Sequence, residues 1–437
     1  MSKKVSIIAT GDSFMTRRIP ENGYLGFQEL VEIIGQYEVK FNNLEITIHN
    51  QQGYPAAVSG GTWAMAGVEI LEDLNRYGFN LYNTANNHSC DYSCGGVVAT
   101  SDNLKRCGKV FAGTGATLQE ASAPGYLKVN DVCVALLGAC SSCDASAVAG
   151  NANSKIIGRP GLNPLRFVNT YHVEPKYFSV LQEIAENTCI NAEQEKGIAN
   201  GYYNPMPEGK LSFGKNLFVL SDHNGRTSEP LDKDMHRMEE NIRIAKEKAD
   251  CVLVSIHSHE CDGRDDIPPA DFLRIFAHKC IDAGADAILG HGPHELRGIE
   301  IYKGKPIFYS LGNFVFQTET VSAQPADAFE NKGLDIEMAV EEYMDNRSKN
   351  GTRGYCVQEN IWRSVMAGFT LEDGVIQEIT LYPITLDMHL PRKEMGSPRL
   401  AEDNSVLSYL QTLCEPFGTK LEIRENNAII KLRDSFV

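Results

Sequence analysis

Five of the eleven histidines in this sequence close runs of apolar, β-branched residues, and four of the five fall in two tight pairs. His257 and His259 follow the run 251–256, with Glu260 next in line, and His291 and His294 follow 286–290. His88 closes 80–87 and has Asp91 three residues on. Carboxylates and amides stand at the ends of other runs: Asp12 after 5–10, Asn43 and Glu45 within 40–48, Asn86 and Asn87 just ahead of His88. Imidazole nitrogens and carboxylate or amide oxygens are the donors that divalent Mn, Zn or Fe accept, one or two ions per chain. Each residue taken singly has a plainer role, since Gly11-Asp12 and Asn86-Asn87 are turn or cap chemistry and Glu45 suits a surface ion pair. Independent loops have no reason to place Asp, Glu, Asn and His after successive strands. Jointly they predict a metal site.

The elements that must hold these residues alternate. Strand patterns at 5–10, 40–48 and 80–84 are separated by helical spacings at 26–35 and 66–77, with a helix at 95–107 and a hairpin at 125–139. Residues 144–232 break the rhythm with Asn, Gly and Pro clusters and one helical stretch at 175–185. Alternation then resumes: helix 232–249, strand 251–256, helix 270–283, strand 286–290, and strands at 299–302 and 306–309. A second irregular stretch, 318–361, carries a helical pattern at 334–344; a hairpin follows at 364–371 and 375–383, then a helix and two short strands from 404. The expectation is a layered α/β fold with a partly parallel sheet, whose ligands gather beyond the carboxyl ends of the strands. We divide it into a core at 1–317, with 144–232 inserted as a lid or specificity region, an insertion plus closing strands at 318–400, and a small C-terminal helix and hairpin at 401–437.

The net charge of −16 over 437 residues argues against a nucleic-acid partner or an anionic membrane surface, both of which reward a positive face. No window approaches the roughly 20 apolar residues of a membrane span, and the N-terminal apolar run is too short for a signal peptide. Twelve cysteines are scattered through strand-like and helix-like segments, which fits reduced thiols in a cytoplasmic protein, and Cys140-Ser-Ser-Cys143 reads as buried free thiols. The oligomeric state is open.

The segments Thr10-Gly-Asp12, Asn43-Leu-Glu45, Ala85-Asn-Asn-His88 with Asp91, Gly113-Thr-Gly115, Ile256-His257, Gly290-His-Gly-Pro-His294 and Ile307-Phe-Tyr-Ser-Leu-Gly-Asn-Phe314 resemble the poly-γ-glutamate capsule-synthesis CapA family, itself similar in fold to the calcineurin-like metallophosphoesterases. The resemblance implies a four-layer α/β/β/α sandwich with a dinuclear metal centre between its sheets. Carried across position by position, it implies Asp12, Glu45, Asn87, His257, His291 and His294 as ligands. Asn43 competes with Glu45, and the carboxylate is preferred because it can bridge two cations. His88 becomes the acid/base, with Asp91 orienting it; Asp12 and His294 join them in the reaction. Three departures stand out. Phe14 occupies the position where the phosphoesterases carry a histidine two residues after the first aspartate, and their Gly-His-x-His becomes Gly290-His-Gly-Pro-His294. Capsule-assembly members are usually membrane-anchored, and this sequence shows no anchor.

The chemistry expected is metal-dependent hydrolysis or transfer on a peptide-like, γ-glutamyl or other anionic small molecule. Metal-assisted epimerisation at an acidic α-carbon uses the same parts, with His88 or His294 opposite Asp12. A non-catalytic binding or assembly protein keeping the fold is the third reading. For the substrate, the run Arg159-Pro-Gly-Leu-Asn-Pro-Leu-Arg166 is expected to clamp a carboxylate or phosphate, with His259, Glu260 and Asn313 also in contact. His49, His236, His278 and His389 lie off the strand-end pattern and read as structural, and Trp63 and Tyr54 as pocket or core.

Overall fold

A computed structural model describes residues 2–263 and 267–432. Its centre is a mixed ten-stranded sheet in which Lys4–Phe14 runs parallel to Val39–Leu44, followed outward by Leu81–Asn83 and Val110–Ala112. On the other side of Lys4–Phe14 the antiparallel Arg363–Glu372 pairs with its first half and the parallel Asn313–Phe316 with its second. A six-stranded sheet runs Ile299–Tyr302, Lys305–Phe308, Ala287–His291, Cys251–His257, Val132–Cys140, Gly125–Val129.

Side chains alternate across these strands because successive Cβ atoms point to opposite faces. Ile7 and Ala9 enter one apolar cluster with Leu136, Leu253, Ala287 and Leu289, so the two sheets pack face to face. Ile8 turns the other way, onto Leu30 and Ile34 of helix Phe27–Gly35 and Leu71 and Leu74 of helix Glu69–Tyr77. Val252 and Val254 likewise meet Met238 and Ile242 of helix Asp232–Lys246 and Phe272 and Phe276 of helix Asp271–Ala283. The α/β expectation holds, and both rows of strand ends that carry polar residues open at the seam between the sheets.

Three segments differ from the sequence reading. The strand expected over 40–48 stops at Leu44 and restarts as Thr47–Ile48, and Glu45 sits in the break. The inserted stretch is not irregular: it forms a four-stranded sheet of Phe167–Val173, Lys210–Phe213, Asn216–Leu220 and Gly225–Pro230, with helices Pro175–Thr188 and Ala192–Ala199. The C-terminal helix and hairpin are not set apart. Ala428–Lys431 pairs with Val375–Thr385 at the edge of the large sheet, and Leu407 and Leu410 of helix Ser405–Cys414 enter the inter-sheet core. No helix among the described residues is long and apolar enough to cross a membrane.

Candidate metal centre

Strand register lines up the donors. In the large sheet Asp12 is paired with Asn313 on one side and Asn43 on the other, and Asn43 with Asn83 beyond it. In the smaller sheet His257 is flanked by His291 and Cys140. The pairing of Lys4–Phe14 is irregular at Asp12 toward both parallel neighbours, a device that bends a strand and re-aims a side chain. Here it brings the carboxylate toward the histidine row: Asp12 Oδ1 lies 3.4 Å from His291 Nδ1 and 3.8 Å from His257 Nδ1, and Oδ2 lies 3.6 Å from His294 Nδ1. Asn43 Nδ2 donates to Asp12 Oδ1 at 2.7 Å and the Gly292 amide to Oδ2 at 3.0 Å, fixing the carboxylate plane.

Glu45 faces the same space. Its Oε1 is 3.7 Å from His257 Nε2 and 3.8 Å from His294 Nε2, and both of its oxygens are buried with no hydrogen-bond partner. His257 Nδ1 is 3.0 Å from His291 Nδ1, and its Nε2 is 3.1 Å from His259 Nε2. Three overlapping groups therefore converge: Asp12 with His257 and His291, Glu45 with His257 and His259, and Asp12 and Glu45 with His294. Asp12, Glu45 and His257 are each shared between two of the three, an arrangement that accommodates one or two cations.

Electrostatics favour the ligand forms of the imidazoles. Burial holds His257 well below the usual histidine range, His291 down to about 4 and His259 down to about 3. Burial opposes ionisation of Asp12, yet the neighbouring His294, the charge of His291 and the Asn43 amide hold its carboxyl below the usual range. Glu45 is pushed well above its own, first by burial and then by Asp12. Neither charge state of Glu45 is satisfied by protein alone, because an ionised buried carboxylate wants donors and a neutral one wants an acceptor. The donor set and the orphaned carboxylate fit a divalent cation.

His88 stands beside the centre, its ring edge-on to Phe14 with centroids 5.1 Å apart. Its Nδ1 bonds Asp91 Oδ2 at 2.7 Å, and the Gly60 and Ala64 amides donate to the same carboxylate. The Asn87 Oδ1 is buried without a partner while its Nδ2 donates to the Gly60 carbonyl; Asn86, in contrast, spends its amide on the Leu44 carbonyl and the His88 amide. Asn87 and His259 line a cavity of about 360 Å³ with Ser59, Ser142 and Asp144, and no Lys or Arg among the described residues lines it.

Residues 6–318 match the family model described as bacterial capsule synthesis protein PGA_cap. The chain belongs to this family. Across 98% of its length it is 34% identical to the uncharacterized protein y4sH of Sinorhizobium fredii, covering 93% of that protein. It is also similar to the PGA biosynthesis protein CapA of Bacillus subtilis, at 29% identity over 57% of this chain and 45% of that one. The capsule biosynthesis protein CapA of Bacillus anthracis is 25% identical over 72% of this chain and 60% of its own.

Within this PGA_cap chain the expected substrate contacts fall out differently. Arg166 donates through Nε and Nη2 to the buried Asp234, at 2.8 and 2.7 Å, so it fastens the inserted unit to helix Asp232–Lys246. Arg159 is exposed and gives its Nε to the Val148 carbonyl. The expected clamp does not form, because a buried Asp234 claims one of its arms. Glu260 accepts from the hydroxyls of Ser141, Ser142 and Ser258, a loop-holding role. Asn313 accepts from His294 Nδ1 at 2.9 Å and donates to the His294 and Ile361 carbonyls, so it orients an imidazole in place of touching substrate. His259, expected on the substrate, is instead placed among the candidate ligands. His49 is buried as expected of a structural residue, but neither ring nitrogen has a partner, and its ring packs edge-on to Tyr92. Sequence reasoning missed Tyr355, whose ring packs edge-on to His294 with centroids 5.8 Å apart, since the stretch carrying it has no periodicity to reveal it.

Proposed function

We propose that this chain is a metal-dependent hydrolase or transferase acting on a peptide-like, γ-glutamyl or other anionic substrate. The observation that carries the reading is Glu45: a buried carboxylate with no hydrogen bond, turned toward the Nε2 atoms of His257 and His294. Asp12, Glu45, His257, His291 and His294 would hold one or two ions of Mn, Zn or Fe, with Asn87 and His259 completing the set toward the cavity. A divalent cation in such a site supplies positive charge for a developing oxyanion and lowers the pKa of water. Asp91 accepts from His88 Nδ1, which fixes that tautomer and leaves Nε2 to take a proton from a nucleophile and return it to a leaving group. Phe14, fully buried against His88, keeps bulk water from that imidazole. The printed names of the Bacillus relatives, PGA and capsule biosynthesis, support the γ-glutamyl class. Two face-packed sheets flanked by helices support the four-layer α/β/β/α sandwich of calcineurin-like type, and twelve free cysteines support a reducing, cytoplasmic setting.

The test is metal analysis of protein purified without a histidine tag, joined to turnover of a panel of γ-glutamyl and α-linked peptides. Chelation and dialysis should abolish turnover and Mn²⁺ or Zn²⁺ restore it; protein that holds no metal and ignores the chelator would end the reading. The replacement of a phosphoesterase histidine by Phe14 favours a second reading, a binding or assembly protein built on the same fold. Cellular function surviving His88→Ala would select it. Solvent deuterium entering a substrate without bond cleavage would select epimerisation.

A further inference from the structure

A second cavity, of about 240 Å³, opens where strands Lys4–Phe14 and Asn313–Phe316 run out, with part of the segment 387–399 on its wall. None of the candidate metal ligands lines it. Its charge is unusual for a chain of net charge −16: Arg17, Arg18, Lys393 and Arg399 stand against Asp387 and Glu394. Two of these cations are spent, Arg18 on Glu72 and Asp73 and Arg399 on Asp387. Arg17 is not. It is half-buried and gives three N–H groups to neutral acceptors, the Arg392 and Met395 carbonyls and the Thr320 hydroxyl. Among the described residues it meets no carboxylate, and its Nε–H and one N–H of Nη2 have no acceptor. Arg399 Nε is likewise shielded from solvent and unpartnered. Lys393 is exposed and makes no ion pair among the described residues.

Much of the remaining wall is apolar. Ile19, Tyr77 and Val315 line it as buried residues, while Leu25 is 79% exposed and Leu390 37% exposed. Two leucines left in water beside an apolar wall extend that surface toward solvent. An apolar lining with a few polar groups that fix orientation is the composition of a ligand cavity. Arg17 and Lys393 against Glu394 leave one positive charge unanswered, which suits a monoanion. A planar carboxylate can accept from a guanidinium edge through both of its oxygens. We propose that this cavity binds a small organic monocarboxylate with an apolar body, its carboxylate held by Arg17 and Lys393 and its body laid on Ile19 and Val315 toward Leu25. The site is separate from the metal centre and does not depend on that reading.

The experiment titrates the full-length chain with octanoate by calorimetry, in EDTA and again with Mn²⁺, using octanol and octylammonium as the uncharged and oppositely charged controls. Octanoate should bind equally in both buffers and more tightly than either control. Arg17→Lys keeps the charge but loses the fork, and should weaken octanoate by about tenfold. Because Arg17 also holds the Arg392 and Met395 carbonyls, two surface variants guard against a loss that is merely structural. Lys393→Glu should weaken octanoate by about threefold or more, with the loss shrinking at high salt. Leu25→Asp should weaken it too, and both should keep the Tm of the unaltered chain. No octanoate binding, octanol or octylammonium binding as tightly, binding that appears only with Mn²⁺, or unchanged affinity in Lys393→Glu and Leu25→Asp would each overturn the proposal.

Discussion

A carboxylate without donors, grouped with His257 and His259, whose charged forms burial disfavours, makes sense as half of a coordination sphere. Glu45→Gln should therefore cut metal affinity by at least about tenfold while leaving metal-free stability unchanged or raised, since the buried acid group is gone. Competition with a chromogenic chelator reads the first quantity and thermal unfolding the second. Asn313→Ala should cost about 10- to 100-fold in metal affinity, because it frees His294 Nδ1 from the bond that sets its ring. The histidines also set a pH dependence. His291 and His259 have folded-state pKa values of about 4 and about 3, below the unfolded value near 6.5. Above pH 6.5 both states are neutral there and these groups contribute no slope. Between 6.5 and 4 the unfolded chain binds protons that the folded one refuses, so stability should fall with falling pH by up to roughly 1.4 kcal/mol per pH unit per histidine. Denaturant midpoints of metal-free protein across that window test the sign.

Elements deliver these side chains through small irregularities. Strand Lys4–Phe14 can approach the loop before Asn313 only because position 11 has no side chain: a Cβ there would stand 1.7 Å from the Gly312 carbonyl oxygen. That oxygen also accepts from the Asp12 amide at 3.0 Å. Gly11→Ala should cost roughly 1–3 kcal/mol or more and loosen metal binding together with stability, because the clash displaces Asp12 itself. His294 holds a left-handed backbone at φ 62°, uncommon for a residue with a side chain and typical of strained functional turns. The inserted unit behaves differently. Arg166→Ala should cost about 1–3 kcal/mol in urea unfolding, Arg237 still serving Asp234, with no change in anion or metal binding.

For the whole molecule, a cation bound only by the folded state ties stability to metal. At a free concentration about 100 times its Kd it would add about 2.7 kcal/mol, so EDTA should lower Tm and Mn²⁺ or Zn²⁺ should restore it, as scanning fluorimetry can follow. The candidate ligands come from both sides of the seam, Asp12 from the large sheet with Glu45 just past the end of its strand Val39–Leu44, and His257 and His291 from the smaller sheet, so an ion held there would clip the sandwich together.

Periodicity was legible in the chain, since the alternation and the 125–139 and 364–383 hairpins follow from patterns that repeat every two or 3.6 residues, while the grouping of Asp12, Glu45, His257, His291 and His294 came from donors at strand ends and from the family resemblance. What the sequence by itself determined is thus which residues end strands and what they can bind. Partner choice was not legible, because it depends on contacts between residues far apart in the chain. Arg166 reads as a clamp until Asp234 is seen beneath it, and the last strands read as a separate unit until they pair with Val375–Thr385. Only the tertiary structure left the Glu45 carboxylate without a donor between His257 and His294. A charge acquires or lacks its partner when the chain closes on itself, and no local pattern encodes that.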